Sequence, residues 1–446
     1  MARTRTLFFC TDCGNESARW AGQCAACGAW NTIAGQPAES GRVAHRTAGA
    51  DAVRLDDVAS VAPQRVATGM KELDFVLGGG IVPGSVVLIG GEPGIGKSTL
   101  LLQAASRLEA LGVPALYVSG EESATQVALR ARRIGEGWGA VRFLAATELD
   151  TILSASAELD PRVIIIDSIQ TVHVPDLDGA AGSVSHVRES ASRLQRMAKQ
   201  GGTAVLVVGH VTKDGSVAGP RTLEHIVDTV LYFESSAGAD HRVLRATKNR
   251  FGSADEIGVF RMTASGLIGA DDASAFFLAG RRAEVSGTAV AAAIEGTRPL
   301  LVEVQALCTR ASYGAPQRVA NGFDRQRLSL LLAVLEKRAG IAFGTFDVFV
   351  NVAGGARLTE PAADLAVVAA LASSAGDAPI PEHTVFAGEV GLGGEIRPVG
   401  QIERRLTEAG RLGFRDAFVP PPETHHGSLR IHGVGQVDTF VRELFG

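Results

Sequence analysis

Gly91-Glu92-Pro93-Gly94-Ile95-Gly96-Lys97-Ser98 is a complete G-x-x-x-x-G-K-S loop. The apolar run Ser85–Gly90 before it reads as a strand, and Thr99–Ala105 after it opens an amphipathic helix. Strand, glycine loop and helix together let backbone N–H groups curl around phosphates at a helix N-terminus, where the helix dipole favours negative charge. A chance glycine turn is the competing reading, and the flanking strand and helix weigh against it. The expected binding set is Gly91, Glu92, Pro93, Gly94, Ile95, Gly96, Lys97, Ser98 and Thr99. Lys97 would reach the β- and γ-phosphates of ATP, and Ser98 would ligate Mg²⁺.

Outward from the loop, strands and helices alternate as a mostly parallel sheet with covering helices requires. Strands are expected at Ser85–Ile89, Ala115–Ser119, Val141–Ala145, Val163–Asp167 and Ala204–Val208. Helices are expected near Thr99–Leu111, Ser123–Arg133, Leu149–Ala157 and Ser185–Lys199. Asp167 closes an apolar strand downstream of the loop and would face Ser98 across the Mg²⁺ hydration shell. Glu121, with Glu122 in reserve, follows a strand at the same sheet edge and could deprotonate the attacking water. His210 ends a further strand there and could sense the γ-phosphate; a plain edge histidine is the alternative.

The 446-residue chain is too long for one ordinary domain, and its composition, 46% apolar and 20% charged, is that of a globular protein. No stretch approaches the ~20 apolar residues needed to cross a bilayer, and the first residues do not form a secretory signal. A net charge of −5 argues against a protein coated in basic residues but leaves room for a local basic channel.

Four of the five cysteines fall in the first thirty residues, as Cys10-Thr11-Asp12-Cys13 and Cys24-Ala25-Ala26-Cys27. Two C-x-x-C turns can complete a tetrahedral S₄ site, which points to structural Zn²⁺ in a reducing cytosol and hence a cytoplasmic location. A redox dithiol is the other reading, although neither hook sits in a βαβ context.

Thr68-Gly69-Met70-Lys71-Glu72-Leu73-Asp74, then Leu77-Gly78-Gly79-Gly80 and the phosphate loop, resembles a RecA-type ATPase. Lys248-Asn249-Arg250-Phe251-Gly252 matches the pentapeptide of the bacterial RadA (Sms) DNA repair family, whose cysteine finger and long C-terminal extension also match. The resemblance covers essentially the whole chain. It implies a RecA-like α/β P-loop core, a four-cysteine zinc ribbon and an α+β Lon-protease-like domain. The expected boundaries are 1–32 for the finger, 33–62 for a linker, 63–272 for the ATPase domain and 273–446 for the non-proteolytic Lon-like domain.

The same resemblance implies a homo-hexameric, DNA-dependent ATPase of recombinational repair and the DNA damage response. Its expected partners are single-stranded and branched DNA and a RecA recombinase. Lys248 and Arg250 would reach a neighbour's γ-phosphate, making hydrolysis depend on assembly. Two glycine-containing segments, 172–185 and 211–224, look like DNA-facing loops. Lys213 and Arg221 are candidate DNA contacts, together with Lys248 and Arg250, and neither loop has aromatic residues. A KaiC-like regulatory ATPase without motor activity is the alternative.

In the C-terminal part, helices are expected at Asp324–Ala339 and Pro361–Ser374, with a strand at Thr345–Val352. Lon-type proteases cut with a Ser–Lys pair. Thr359-Glu360-Pro361-Ala362-Ala363-Asp364 carries alanine where that serine would fall, and Glu403 stands near the lysine's position. Peptide hydrolysis is therefore not expected. A packing role between ring subunits is, with Arg310, Arg318, Arg325 and Arg327 as a further nucleic-acid surface.

Overall fold

The structure is a computed structural model that describes residues 6–10, 16–17, 19–25, 28–37, 64–134, 137–210, 223–234, 241–254, 256–270, 272–282, 285–311, 315–421, 427 and 429–446. Its contacts divide the chain into two compact units, residues 1–234 with 242–269, and residues 235–241 with 270–446.

The first unit begins with β1 (Thr6–Cys10), β2 (Glu16–Ser17) and β3 (Ile33–Pro37), an antiparallel ribbon in the order β2-β1-β3. Buried Cys10, Cys24 and Ile33, with half-buried Phe8 against them, form its small interior. So small a core needs a further staple to hold it.

The rest of that unit runs α1 (Lys71–Val76), β4 (Val86–Gly91), α2 (Lys97–Ala110), β5 (Ala115–Ser119), α3 (Ala124–Arg133), β6 (Arg142–Ala145) and α4 (Leu149–Leu159). It continues through β7 (Val163–Asp167), α5 (Val184–Gly201), β8 (Ala204–His210), β9 (Thr229–Glu234), β10 (His241–Asn249), β11 (Ile257–Thr263) and β12 (Gly266–Gly269). The nine strands take the order β12-β11-β10-β9-β4-β8-β7-β5-β6. From β9 to β6 all pairings are parallel.

Every residue of β4, β5 and β7 is buried, as expected for parallel strands covered on both faces. Alternate residues feed two separate cores. Val87, Ile89, Tyr117, Ile165 and Leu206 face one, and Val86, Leu88, Val118, Ile164 and Val205 face the other. Each such aliphatic side chain contributes about 1.5–3 kcal/mol by burial. Helix α3 starts where the sequence says it should, because Ser123 and Gln126 form a reciprocal capping box. Helix α5 stops at Gly202, whose φ of 74° ends the turn at no steric cost.

The C-terminal unit comprises α6 (Ala273–Phe277), β13 (Thr288–Glu295), β14 (Arg298–Arg310), β15 (Arg318–Asn321), α7 (Arg325–Val334), β16 (Phe346–Val352) and α8 (Asp364–Gly376). After these come β17 (Thr384–Phe386), β18 (Glu389–Val390), β19 (Ile396–Arg397), α9 (Ile402–Arg411), β20 (Asp416–Val419), β21 (Arg430–Gly433) and α10 (Val437–Phe445). A mixed seven-stranded sheet has the order β15-β16-β14-β13-β17-β20-β21, and β18 pairs with β19 in a separate hairpin. Alanine-rich α8 is buried from Asp364 to Ser373, since small side chains let it lie close to the sheet.

Two expectations for this unit need adjusting. The helix expected over Asp324–Ala339 is α7 followed by a π turn, Leu335–Ala339, before Gly340 ends it. The helix expected over Pro361–Ser374 opens with a 3₁₀ turn at Pro361–Ala363, because the proline ring fixes the first step but gives no N–H. Among the described residues, no helix is long and apolar enough to cross a membrane.

Candidate active site

The parallel strands end level with one another. Gly91 of β4 pairs with His210 of β8, and Ser119 of β5 pairs with Asp167 of β7. The residues singled out in the sequence therefore come from different strands to one carboxyl edge, where open α/β sheets bind ligands.

At two of its glycines the loop leaving β4 has no room for a side chain. A Cβ on Gly91 would stand 2.7 Å from Phe233 O, and one on Gly96, at φ 115°, would stand 2.7 Å from Met262 Cε. With Gly96 as its cap, α2 starts without a side-chain acceptor for its first N–H groups. They are left for an anion. Lys97 is buried, and its Nζ donates to Gly91 O at 2.7 Å and Glu92 O at 2.9 Å. Burial pulls its pKa down to about 8, against the opposing fields of Asp167 and Glu121.

Buried Asp167 accepts a 2.6 Å hydrogen bond from Tyr117 Oη, and Ser98 lies near enough to that phenol to oppose the rise in its pKa. Ser98 and Asp167 are thus both neighbours of one phenol. Such a hard-oxygen donor pair suits Mg²⁺. Beside it, Ser168 Oγ donates to Glu121 Oε1 at 2.6 Å, and His210 Nε2 lies 3.4 Å from that same oxygen. Gln170 Nε2 donates to His210 O at 3.5 Å. His210 Nδ1 and Gln170 Oε1 are buried without a hydrogen-bond partner. Glu122 is instead drawn into an ion pair with Arg130. A cleft of about 410 Å³ opens over Lys97, Ser98, Thr99, Arg130, Arg133 and His210, room enough for a nucleotide.

Lys248 and Arg250 lie elsewhere. β10 runs antiparallel to β9, with Lys248 opposite Val230 and Asn249 opposite Thr229, and Thr229 pairs with Val87 at the start of β4. The pentapeptide therefore sits at the sheet edge opposite its own phosphate loop. Lys248 Nζ donates to Val227 O at 2.8 Å and to Glu224 O. Burial and then the Arg250 charge pull its pKa down. Arg250 Nη1 meets buried Asp228 Oδ1 at 3.1 Å, and the same aspartate caps Val86 N. Arg65 donates to Leu77 O, Gly80 O and Phe251 O, tying the pentapeptide to the Leu77–Gly80 turn.

In the ribbon, Cys10 and Cys24 are both buried. Cys24 N donates to Ala29 O and Gly28 N returns to Cys24 O, each at 2.9 Å, which closes the second hook. Two buried thiols beside a closed hook fit a tetrahedral thiolate site for Zn²⁺. Cys13 and Cys27 lie outside the described residues, as do Lys213 and Arg221. Of the other candidate DNA-facing segment, the first part is anchored: Val172 and Val174 are buried in the core, and His173 N donates to Thr147 O at 2.8 Å.

In the C-terminal unit, Ala362 and Ala363 are buried at the position expected for the protease serine, and Glu403 is exposed on α9. Ion pairs flank the alanines. Glu360 accepts both Arg405 Nη atoms at 2.6 Å and Ile294 N at 2.6 Å. Asp364 accepts Arg327 Nε at 3.0 Å and Val390 N at 3.1 Å. Burial pushes the Asp364 carboxyl up against the opposing pull of these donors.

Sequence reasoning passed over Tyr117, Ser168, Gln170, Arg130 and Arg133. Tyr117 looks like one more core residue of its strand. Ser168 and Gln170 had a usable signal in their position directly after Asp167.

Known proteins resemble the chain along its whole length. Residues 8–34 match a rubredoxin metal binding domain, 50–216 an AAA domain, and 332–439 the C-terminal proteolytic domain of Lon protease (S16). The DNA repair protein RadA of Pseudomonas aeruginosa is 48% identical over the full length of both chains. That of Bacillus subtilis is 45% identical, also over the full length of both. For the Escherichia coli protein the identity is 46%, covering 96% of each chain.

Proposed function

The chain belongs to the DNA repair protein RadA family, with an ATPase domain at its centre, and from that premise we propose that it is an ATP-driven motor acting on single-stranded or branched DNA in recombinational repair. ATP binds the Gly91–Thr99 loop. Lys97 leaves its carbonyl partners for the phosphate oxygens, Glu121 takes the proton of the attacking water, and His210 reads whether the γ-phosphate is present. Ser98 and Asp167 would hold Mg²⁺, which would supply charge neutralisation of the phosphates. Cys10, Cys13, Cys24 and Cys27 would hold Zn²⁺, which would supply folding energy to the ribbon.

The observation that carries this reading is the distance of Lys248 and Arg250 from their own phosphate loop, at the opposite edge of one sheet. Cations so placed serve a neighbouring copy, so hydrolysis waits on a ring, taken to be a hexamer. The segments 172–185 and 211–224, with Lys213 and Arg221, contact the strand as the ring cycles, and a RecA recombinase is the partner. The finger spans 1–32, the linker 33–62, the ATPase domain 63–272 and the Lon-like domain 273–446. That last domain packs subunits together without cutting peptides.

The test is ATP turnover and three-strand branch migration for the parent, Lys97→Ala and Arg250→Ala, with and without single-stranded DNA. Both variants should lose strand movement, and Arg250→Ala should keep ATP binding. Normal hydrolysis by Arg250→Ala with DNA present would overturn the assignment in trans.

A further inference from the structure

In the ribbon, two indoles are turned outward: Trp20 is 61% exposed and Trp30 69%. Neither indole belongs to the interior formed by Cys10, Cys24, Ile33 and Phe8. They are also neighbours. A Cβ on Gly22 would lie 3.8 Å from Trp30 Cζ3 and 4.0 Å from Trp20 Cη2, so both rings flank one residue that has no side chain.

The loop that presents them is tightly tied. Gln23 and Trp30 form an antiparallel bridge, Asn31 N donates to Gly22 O at 2.8 Å, and Gln23 Nε2 donates to Gly28 O at 2.9 Å. Arg19, Gln23 and Asn31 around them are exposed and polar. Phe8 and Ile33, by contrast, pack inward. A stable protein interface buries ~1,200–2,000 Å² around an apolar centre, and two indoles in a polar surround do not supply one. Flat rings in such a setting suit flat ligands that arrive with their own charged backbone.

We propose that Trp20 and Trp30 form a base-stacking platform for an unpaired DNA strand. The proposal rests on the reading that the chain handles single-stranded DNA, and it fills a gap in that reading, since segments 172–185 and 211–224 contain no aromatic residue. Stacking tolerates any base, because every base has a π face. Its strength does not depend on counterion release, so it adds affinity that salt does not remove.

The chain has three tryptophans, so emission reports directly on the platform. In the full-length protein, an oligo-dT strand should quench tryptophan emission on binding. Trp20→Ala with Trp30→Ala, which leaves Trp138 alone, should abolish most of that quenching. Each ring removed should weaken binding about tenfold or more. The slope of log affinity against log salt should stay that of the parent, and Trp20→Phe with Trp30→Phe should restore most of the affinity.

Parental affinity in the double alanine variant, with emission unmoved by DNA in the parent, would overturn the platform while leaving the repair reading intact. So would normal DNA binding by that variant with loss of binding to a recombinase, which would make the rings a protein contact. A parent chain that binds no single strand at all removes the repair reading itself, and the platform with it.

Discussion

Tyr117 Oη donates to Asp167 Oδ2 across 2.6 Å inside the sheet, and burial together with that carboxylate pushes the phenol well above its usual range. The pair borders the candidate metal site, since Ser98 neighbours the same phenol. Tyr117→Phe keeps the ring, which stacks on Phe143 at 6.3 Å, and removes only the donor. Losing a hydrogen bond to a buried carboxylate should cost about 1.5–3 kcal/mol, read as a lower urea midpoint with an unchanged slope. ATP turnover should fall with it, because Asp167 loses the contact that orients it.

Lys97 offers a proton-counting test. Its pKa stands at about 8 in the nucleotide-free fold, against an ordinary 10.5. Between those values the unfolded chain holds a proton that the folded chain has released, so stability should rise with pH across that window. Lys97→Met should flatten that slope. Phosphates arriving beside Nζ favour the charged form, so ATP binding slightly above pH 8 should take up a proton. Calorimetry in two buffers of different ionisation enthalpy would read the uptake, and Lys97→Met should show none.

Mixing two inactive variants tests the trans arrangement. Lys97→Ala subunits keep Arg250, and Arg250→Ala subunits keep the phosphate loop. Assembled together, they create some seams with both parts intact. DNA-stimulated hydrolysis should reappear in the mixture at a fraction of the parent rate. If Arg250 acted only within its own chain, the mixture would stay silent.

The ion pair between Glu360 and Arg405 should be strongly structural. Arg405 side-chain exposure is 4%, so Glu360→Ala would strand a buried guanidinium. Breaking such a pair from one side costs about 3–5 kcal/mol, visible as a lower melting temperature. Installing Ser at Ala362 and Lys at Glu403 should not create casein hydrolysis. The exposed position 403 gives a lysine none of the burial that would lower its pKa.

Much of the candidate site was legible because it depends on short-range pattern. A glycine loop between a strand and a helix, and Asp167 at the end of an apolar run, declare themselves through local periodicity. Strands β9 to β12 did not, although His241–Asn249 alternates buried and half-exposed residues over much of its length. Its direction depends on a long-range pairing with Thr229–Glu234 that no local window contains. The pentapeptide could thus be recognised as a motif while its side of the sheet stayed hidden. Tyr117 was hidden differently, since an aromatic residue in a buried strand is ordinary core until its hydroxyl finds a carboxylate.

Arg65 grips Leu77 O, Gly80 O and Phe251 O just where the chain arriving from the ribbon joins the ATPase core. The ribbon is therefore leashed beside the pentapeptide, and the leash between Pro37 and Gln64 can stretch to on the order of 90 Å at most. The ribbon is thereby kept within that radius of the Lys248–Gly252 end of the sheet, so the covalent chain alone fixes how far from the pentapeptide it can work.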